Sequence, residues 1–87
     1  MENPYTQNIE NEIIQRTFDE AIDEMELVWH RDKKDRMVKV IQSEGWKFQM
    51  DNELPIELKR GTELFIPKEV YHRVIKGNGE LKIEIKE

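Results

Sequence analysis

The sequence predicts a single, small, mainly β domain whose strands form an antiparallel sandwich or barrel. From residue 27 onward, apolar and polar residues alternate with a period of two, which is typical of strands that bury one face. Turn-forming residues separate these runs at regular intervals. The 87 residues suffice for one domain, near the lower end of the sizes that fold alone. Short strands at such spacing are typical of antiparallel sandwiches and barrels.

The N-terminal segment, residues 1–26, differs from the rest because it contains no glycine and carries an acidic run. Its apolar residues recur about every four positions, which favours a short helix with one buried face. The part from Glu12 to Phe18 also fits a strand, and this alternative remains open. We expect the segment to pack on the following barrel or to pair with it. We expect the acidic run to be a solvated face; it consists of Asp19, Glu20, Asp23, Glu24 and Glu26.

The second part, residues 27–87, contains the predicted strands of the barrel. These strands cover residues 37–41, 46–50, 56–58, 63–66 and 81–85, and a further strand begins near Val70. Turn signals separate most of them, at Ser43-Glu44-Gly45, Asp51-Asn52, Arg60-Gly61 and Gly77-Asn78-Gly79.

Both histidines of the chain lie where such strands can direct them inward. Gly61 supplies a turn, residues 63–66 form a strand, and Pro67 ends that strand because proline cannot donate a hydrogen bond to a ladder. The next strand follows at once, which places His72 close to its start. The other histidine, His30, precedes the strands at 37–50. Two histidines directed into one barrel predict a metal or ligand site.

The segment from Gly61 to His72 resembles the second motif of the cupin superfamily, whose members are small β-barrels of jelly-roll type. That motif is a glycine, five residues, a proline, one residue, a glycine, two residues and a histidine. Gly61, Pro67 and His72 match it in register, and Glu69 stands where the second glycine usually lies. The resemblance covers residues 26–87 and implies a jelly-roll, cupin-type barrel.

The first cupin motif is degenerate in this chain. In the family it has His-x-His, then three or four residues, a glutamate, six residues and a glycine. Here His30-Arg31-Asp32 takes the position of His-x-His, and Arg36 takes that of the glutamate. The resemblance implies His30 and His72 as metal ligands, with Asp32 in place of a histidine. Arg36 is a cation and cannot coordinate a metal.

Two imidazoles and one carboxylate suit Fe(II), Mn(II), Ni(II) or Zn(II), and with iron they are the facial triad of oxygenases. Residues two apart on a strand share one face, so His30 and Asp32 can meet His72 from a neighbouring strand. Asp35 is a candidate fourth ligand if its loop bends inward. Further candidates for the pocket are Arg36, Trp46 and Phe48, although most such aromatics fill a core.

The alternative is a non-catalytic binding module, for a small ligand or a protein partner, that holds no metal. In that case Arg36 pairs with Asp32 or Asp35. Arg36, Arg73 and the histidines would then offer a site for a small anion. Whether the chain is an enzyme stays open at this point, because cupins host many chemistries and the fold alone decides none.

The composition excludes several classes of partner. The 14 basic and 19 acidic residues give a net charge of −5 and are interleaved, so the chain lacks the basic stripe of nucleic-acid-binding proteins. It has no cysteine, which excludes disulfides and thiolate zinc sites. It has no leader-like start and no long apolar run, so we expect no membrane association and a cytoplasmic protein. Because 38% of the residues are charged, the core is thin, and we expect a homodimer.

Overall fold

Eight β-strands and one single-turn 3-10 helix form the part of the chain that the structure, a computed structural model, describes, residues 4–87. The strands are β1 (Tyr5–Glu10), β2 (Ile13–Phe18), β3 (Arg36–Glu44), β4 (Lys47–Met50), β5 (Ile56–Glu57), β6 (Glu63–Ile66), β7 (His72–Ile75) and β8 (Asn78–Lys86). The 3-10 helix is Glu24–Glu26. No helix within residues 4–87 is long and apolar enough to cross a membrane.

The strands form two antiparallel sheets. The larger has the order β1-β2-β8-β3-β6 and the smaller the order β5-β4-β7. The predicted antiparallel, mainly β fold is thus confirmed, but the sheets are not closed into the predicted barrel. Within residues 4–87, the edge strands β1 and β6 of the larger sheet do not pair with β5 and β7, the edge strands of the smaller one. Strands β5 and β7 have only two and four residues, so they offer few backbone groups for such pairing.

The chain changes sheet four times, and two of these four points touch each other. Gly45 separates β3 from β4, and Gly77 separates β7 from β8. Gly77 therefore links two sheets, whereas the sequence suggested a simple reversal there. A Cβ atom on Gly77 would overlap backbone atoms of Gly45 and of both its neighbours, so only glycine fits.

The N-terminal segment contains a β-hairpin, and the predicted N-terminal helix is wrong. Strands β1 and β2 pair in register, with Glu10 opposite Ile13. Asn11 and Glu12 both have positive φ, 51° and 67°, as a two-residue hairpin turn requires. Strand β2 then pairs with β8. Residues 1–3 of the segment 1–26 lie outside the described residues.

The helix prediction failed because apolar residues of two strands and a loop mimic a period of four. Within β2 the buried residues alternate, and β-branched isoleucine and threonine suit a pleated strand. The strand alternative for this segment was therefore the right one.

The hydrophobic core lies between the two sheets. Trp46 is fully buried there and donates its Nε1–H to the Asn78 carbonyl at 3.1 Å, which satisfies its only polar atom. The buried apolar residues are Ile14, Phe18, Ile22, Val38, Val40, Trp46, Phe48, Leu58, Ile66, Leu81, Ile83 and Ile85. Several of them, among them Phe18, Phe48 and Leu81, also line a cavity between the sheets.

Candidate metal centre

His30 and His72 face each other across an isolated antiparallel bridge. His72 begins β7, and His30 lies in the segment between the 3-10 helix and β3. The His30 N–H donates to the His72 carbonyl at 3.0 Å, and the His72 N–H donates to the His30 carbonyl at 2.8 Å. The two ring centroids are 4.3 Å apart. The backbone thus fixes both imidazoles beside each other.

Each imidazole ring contacts a backbone carbonyl two residues earlier in the chain. Nδ1 of His30 lies 3.1 Å from the Val28 carbonyl, and Nδ1 of His72 lies 2.9 Å from the Val70 carbonyl. A carbonyl oxygen can only accept, so Nδ1 donates in these contacts, and in the neutral ring Nε2 then keeps a lone pair. Metal-binding histidines usually have such an outer hydrogen bond, which orients the ring.

Asp32 joins the two histidines in a group whose ligand atoms all lie within 4.8 Å of one another. The backbone holds Asp32 in place, because the Glu69 N–H donates to its carbonyl at 2.7 Å. Glu69 has a φ of 64°, in the left-handed region that favours glycine. It keeps the conformation of the glycine that the cupin motif usually has at this position. The loop after Pro67 therefore positions the candidate ligands.

The contact between Asp32 and His72 brings a carboxylate oxygen close to an imidazole nitrogen. Oδ2 of Asp32 lies 3.3 Å from Nε2 of His72, yet it is buried and has no hydrogen-bond partner among residues 4–87. Both atoms are acceptors when His72 is neutral and its proton is on Nδ1. Burial lowers the pKa of His72, and the neighbouring His30 and Arg36 lower it further, against opposing effects of the Val70 hydrogen bond and Asp32. Two imidazoles and a carboxylate at these distances form a group that could hold a metal ion.

Arg36 lies beside this group but is bound mainly elsewhere. Its Nε and Nη2 contact Oε2 of Glu87 at 2.9 Å and 2.8 Å, whereas its Nη1 is 3.4 Å from Oδ1 of Asp32. The shorter pair of contacts shows that Glu87 is the main partner. Arg36 therefore contacts one carboxylate oxygen of Asp32 and leaves the other for the histidines.

The candidate ligands lie in the wall of an open cavity of about 790 Å³ between the sheets. Its walls are mainly apolar, and such volumes are typical of small-molecule sites. The Phe48 ring lies 5.6 Å from the His72 ring and lines the cavity, as does Arg36. Trp46, in contrast, is part of the core. Asp35 accepts from the Lys68 N–H at 2.8 Å and is not in the ligand group.

Sequence analysis missed Arg16, a buried arginine that also lines the cavity. It lies on β2 between the buried residues Ile14 and Phe18. A strand interpretation of residues 13–18 would have revealed it, because the alternation that directs Ile14 and Phe18 inward also directs Arg16 inward. The helix interpretation concealed this placement.

The sequence matches no protein-family model and no curated protein. Solved structures do resemble the fold. A cupin domain from Bordetella pertussis aligns with a TM-score of 0.63 and 23% identity, over 99% of this chain and 96% of that one. An RmlC-like cupin with a double-stranded β-helix fold, from Methanocaldococcus jannaschii, gives 0.71 and 13%, over 97% and 79%.

Two enzyme structures are matched over only part of their length. An iron(II) form of HppE in complex with substrate gives a TM-score of 0.67 and 16% identity, over 98% of this chain and 53% of that one. The chain spans 35% of a matched DMSP lyase chain, with a TM-score of 0.70 and 16% identity. These likenesses confirm the predicted resemblance at the level of the fold: the chain has the cupin fold.

Proposed function

We propose that this cupin-fold protein binds a divalent metal ion through His30, Asp32 and His72, and that the metal serves chemistry on a small molecule held in the adjacent cavity. One observation carries the proposal. The buried Oδ2 of Asp32 has no hydrogen-bond partner within residues 4–87, and it lies 3.3 Å from Nε2 of His72 in a group of three possible ligands. A metal ion between these atoms would supply a positive charge.

Two imidazoles and a carboxylate suit Fe(II), Mn(II), Ni(II) and Zn(II). Iron(II) is the first candidate, because the fold neighbour HppE was solved with iron(II) and substrate. Three protein ligands leave coordination positions open, and a bound metal would polarise a substrate oxygen or activate water. The apolar cavity walls would keep bulk water away from the substrate.

Titration of chelator-treated protein with Co(II), followed by visible absorption, tests this proposal. We expect one site per chain. The affinity should fall more in His30→Ala and His72→Ala than the roughly 10- to 100-fold that loss of an outer-shell partner costs. Asp32→Asn is the corresponding variant of the third ligand. Its matched control is Asp51→Asn, because Asp51 is an exposed carboxylate outside the ligand group. Equal affinities of the wild type and the histidine variants would refute the proposed ligands.

The second candidate is a metal-free binding module. The contact of 3.4 Å between Nη1 of Arg36 and Oδ1 of Asp32 favours it, since such a pair partly neutralises the carboxylate. In this case Co(II) does not bind, and Asp32 serves only to hold Arg36. Because Arg36 also contacts Glu87 at 2.8 Å, we regard this pair as secondary.

A further inference from the structure

We propose that Arg16 is the anion-binding residue of the cavity, and that the small molecule held there carries a carboxylate or phosphate group on an apolar body. The inference deepens the proposed function and rests on it in one respect, since the metal and the anion would share one cavity. It assigns a ligand class to this cavity and a role to Arg16.

The first observation is a buried cation without a carboxylate partner. Arg16 is 9% exposed, and within residues 4–87 no acidic side chain lies within ion-pair distance of it. Removing a cation from water without such a partner is energetically unfavourable. Burial lowers the pKa of the Arg16 guanidinium, but arginine keeps its charge in proteins. An anion from outside the chain would offset this cost.

The second observation is that one edge of the guanidinium remains available. Nε and Nη2 of Arg16 both donate to Oε1 of Gln7, at 3.0 Å and 2.7 Å. The Tyr5 ring stacks on the group, with Cζ of Arg16 3.8 Å from the ring centroid. Nη1 makes no hydrogen bond to residues 4–87, and it is not among the fully occluded polar atoms. Gln7 and Tyr5 thus orient a guanidinium that can still donate hydrogen bonds to two oxygens of a ligand.

The third observation is the charge of the cavity wall. Arg16 and Arg36 line the cavity together with Glu26 and Asp32, so these four charges cancel. A bound divalent metal would leave the cavity positive, which favours an anionic ligand over a neutral one. The rest of the wall is mainly apolar, for example Phe48 and Leu81, which suits an apolar body on the ligand.

Matched probes test the inference: hexanoate, hexyl phosphate and hexan-1-ol share an apolar chain and differ in the head group. Binding is followed by amide chemical shifts in NMR titrations, once with chelator-treated protein and once with Zn(II)-loaded protein. We expect at least one anion to bind more tightly than the alcohol. Arg16→Met should weaken anion binding by about ten-fold or more and leave hexan-1-ol unaffected. Arg60→Met, at an exposed arginine, is the control and should change neither.

A second variant keeps the test decisive if Arg16→Met does not fold. Gln7 is exposed, and its side chain contacts Arg16. Gln7→Glu therefore brings a carboxylate next to Arg16 and should neutralise the guanidinium without disturbing the core. It should weaken anion binding as Arg16→Met does.

The two proposals fail in different ways. In one outcome, anion binding to chelator-treated protein depends on Arg16, but the protein binds no Zn(II). This outcome would refute the proposed metal site and support the anion-binding role of Arg16. In another outcome, the protein binds metal, but wild type, Arg16→Met and Gln7→Glu bind each of the three probes with equal affinity. This outcome would refute the role of Arg16 and leave the metal site standing. Failure of both anions to bind would also overturn the role of Arg16.

Discussion

We expect the position of Asp32 to raise the free energy of the metal-free protein. Its Oδ2 is buried, has no hydrogen-bond partner among residues 4–87, and lies 3.3 Å from Nε2 of His72. A buried acceptor without a partner costs about 1 to 3 kcal/mol. Such a local cost is typical of functional sites, where the bound ligand compensates it.

The Asp32→Asn variant should be at least as stable as wild type when both are metal-free. The amide can donate to Nε2 of His72, and Arg36 keeps its contacts with Glu87. We expect the free energy of unfolding, measured in urea after chelator treatment, to rise by about 1 kcal/mol. Asp51→Asn should leave it unchanged. A clear loss of stability in Asp32→Asn would instead identify Asp32 as a structural partner of Arg36.

Single residues were predictable where the spacing of a sequence motif located them without knowledge of which strands pair. The chain has only two histidines, and the spacing from Gly61 to His72 placed the second one at the start of a strand, where β7 begins. Arg16 was not predictable in this way. Its inward position depends on whether its segment is a strand, and apolar periodicity in a short segment does not decide that.

At the level of elements, apolar alternation located most strands, but it did not reveal the β1–β2 hairpin. Alternation located β3, β4, β6 and β8 because each buries only one face. The β1–β2 hairpin escaped prediction, since its turn is Asn11-Glu12, and glutamate with positive φ is a poor signal for a hairpin. The pairing of β2 with β8 is a long-range contact that no local pattern encodes.

Gly77→Ala should destabilise the protein more than Gly61→Ala. A Cβ on Gly77 would overlap backbone atoms of the Gly45 turn, and backbone cannot move aside as a side chain can. We expect a loss of about 2 kcal/mol or more for Gly77→Ala, typical of overpacking. Gly61 has open space around it and a φ of 88°, so its cost is the left-handed conformation alone, about 1 kcal/mol. Urea unfolding of both variants measures the difference. Equal losses of unfolding free energy would contradict the close approach of Gly77 to the Gly45 turn.

At the level of the whole molecule, the core and the cavity share their walls. Core residues such as Phe18, Phe48 and Leu81 also line the space of about 790 Å³. The two sheets pair separately, so the prediction of a closed barrel was wrong. Alternation of apolar residues located single strands, but it does not encode which strands pair with each other.

The homodimer expected from the composition stays a prediction. The larger sheet exposes Met37 directly opposite Phe65 on β3 and β6, at 45% and 52% exposure. A second copy on this face would bury both side chains and add to a thin core.

The most direct test of the metal centre is the metal content of untagged protein purified without chelator, measured by plasma mass spectrometry. The proposed function predicts a near-stoichiometric amount of Fe, Mn, Ni or Zn in wild type and in Asp51→Asn. It predicts that this metal is lost in His30→Ala and His72→Ala. Wild-type protein that is free of metal, and whose Tm does not change when salts of these four metals are added, would contradict the account.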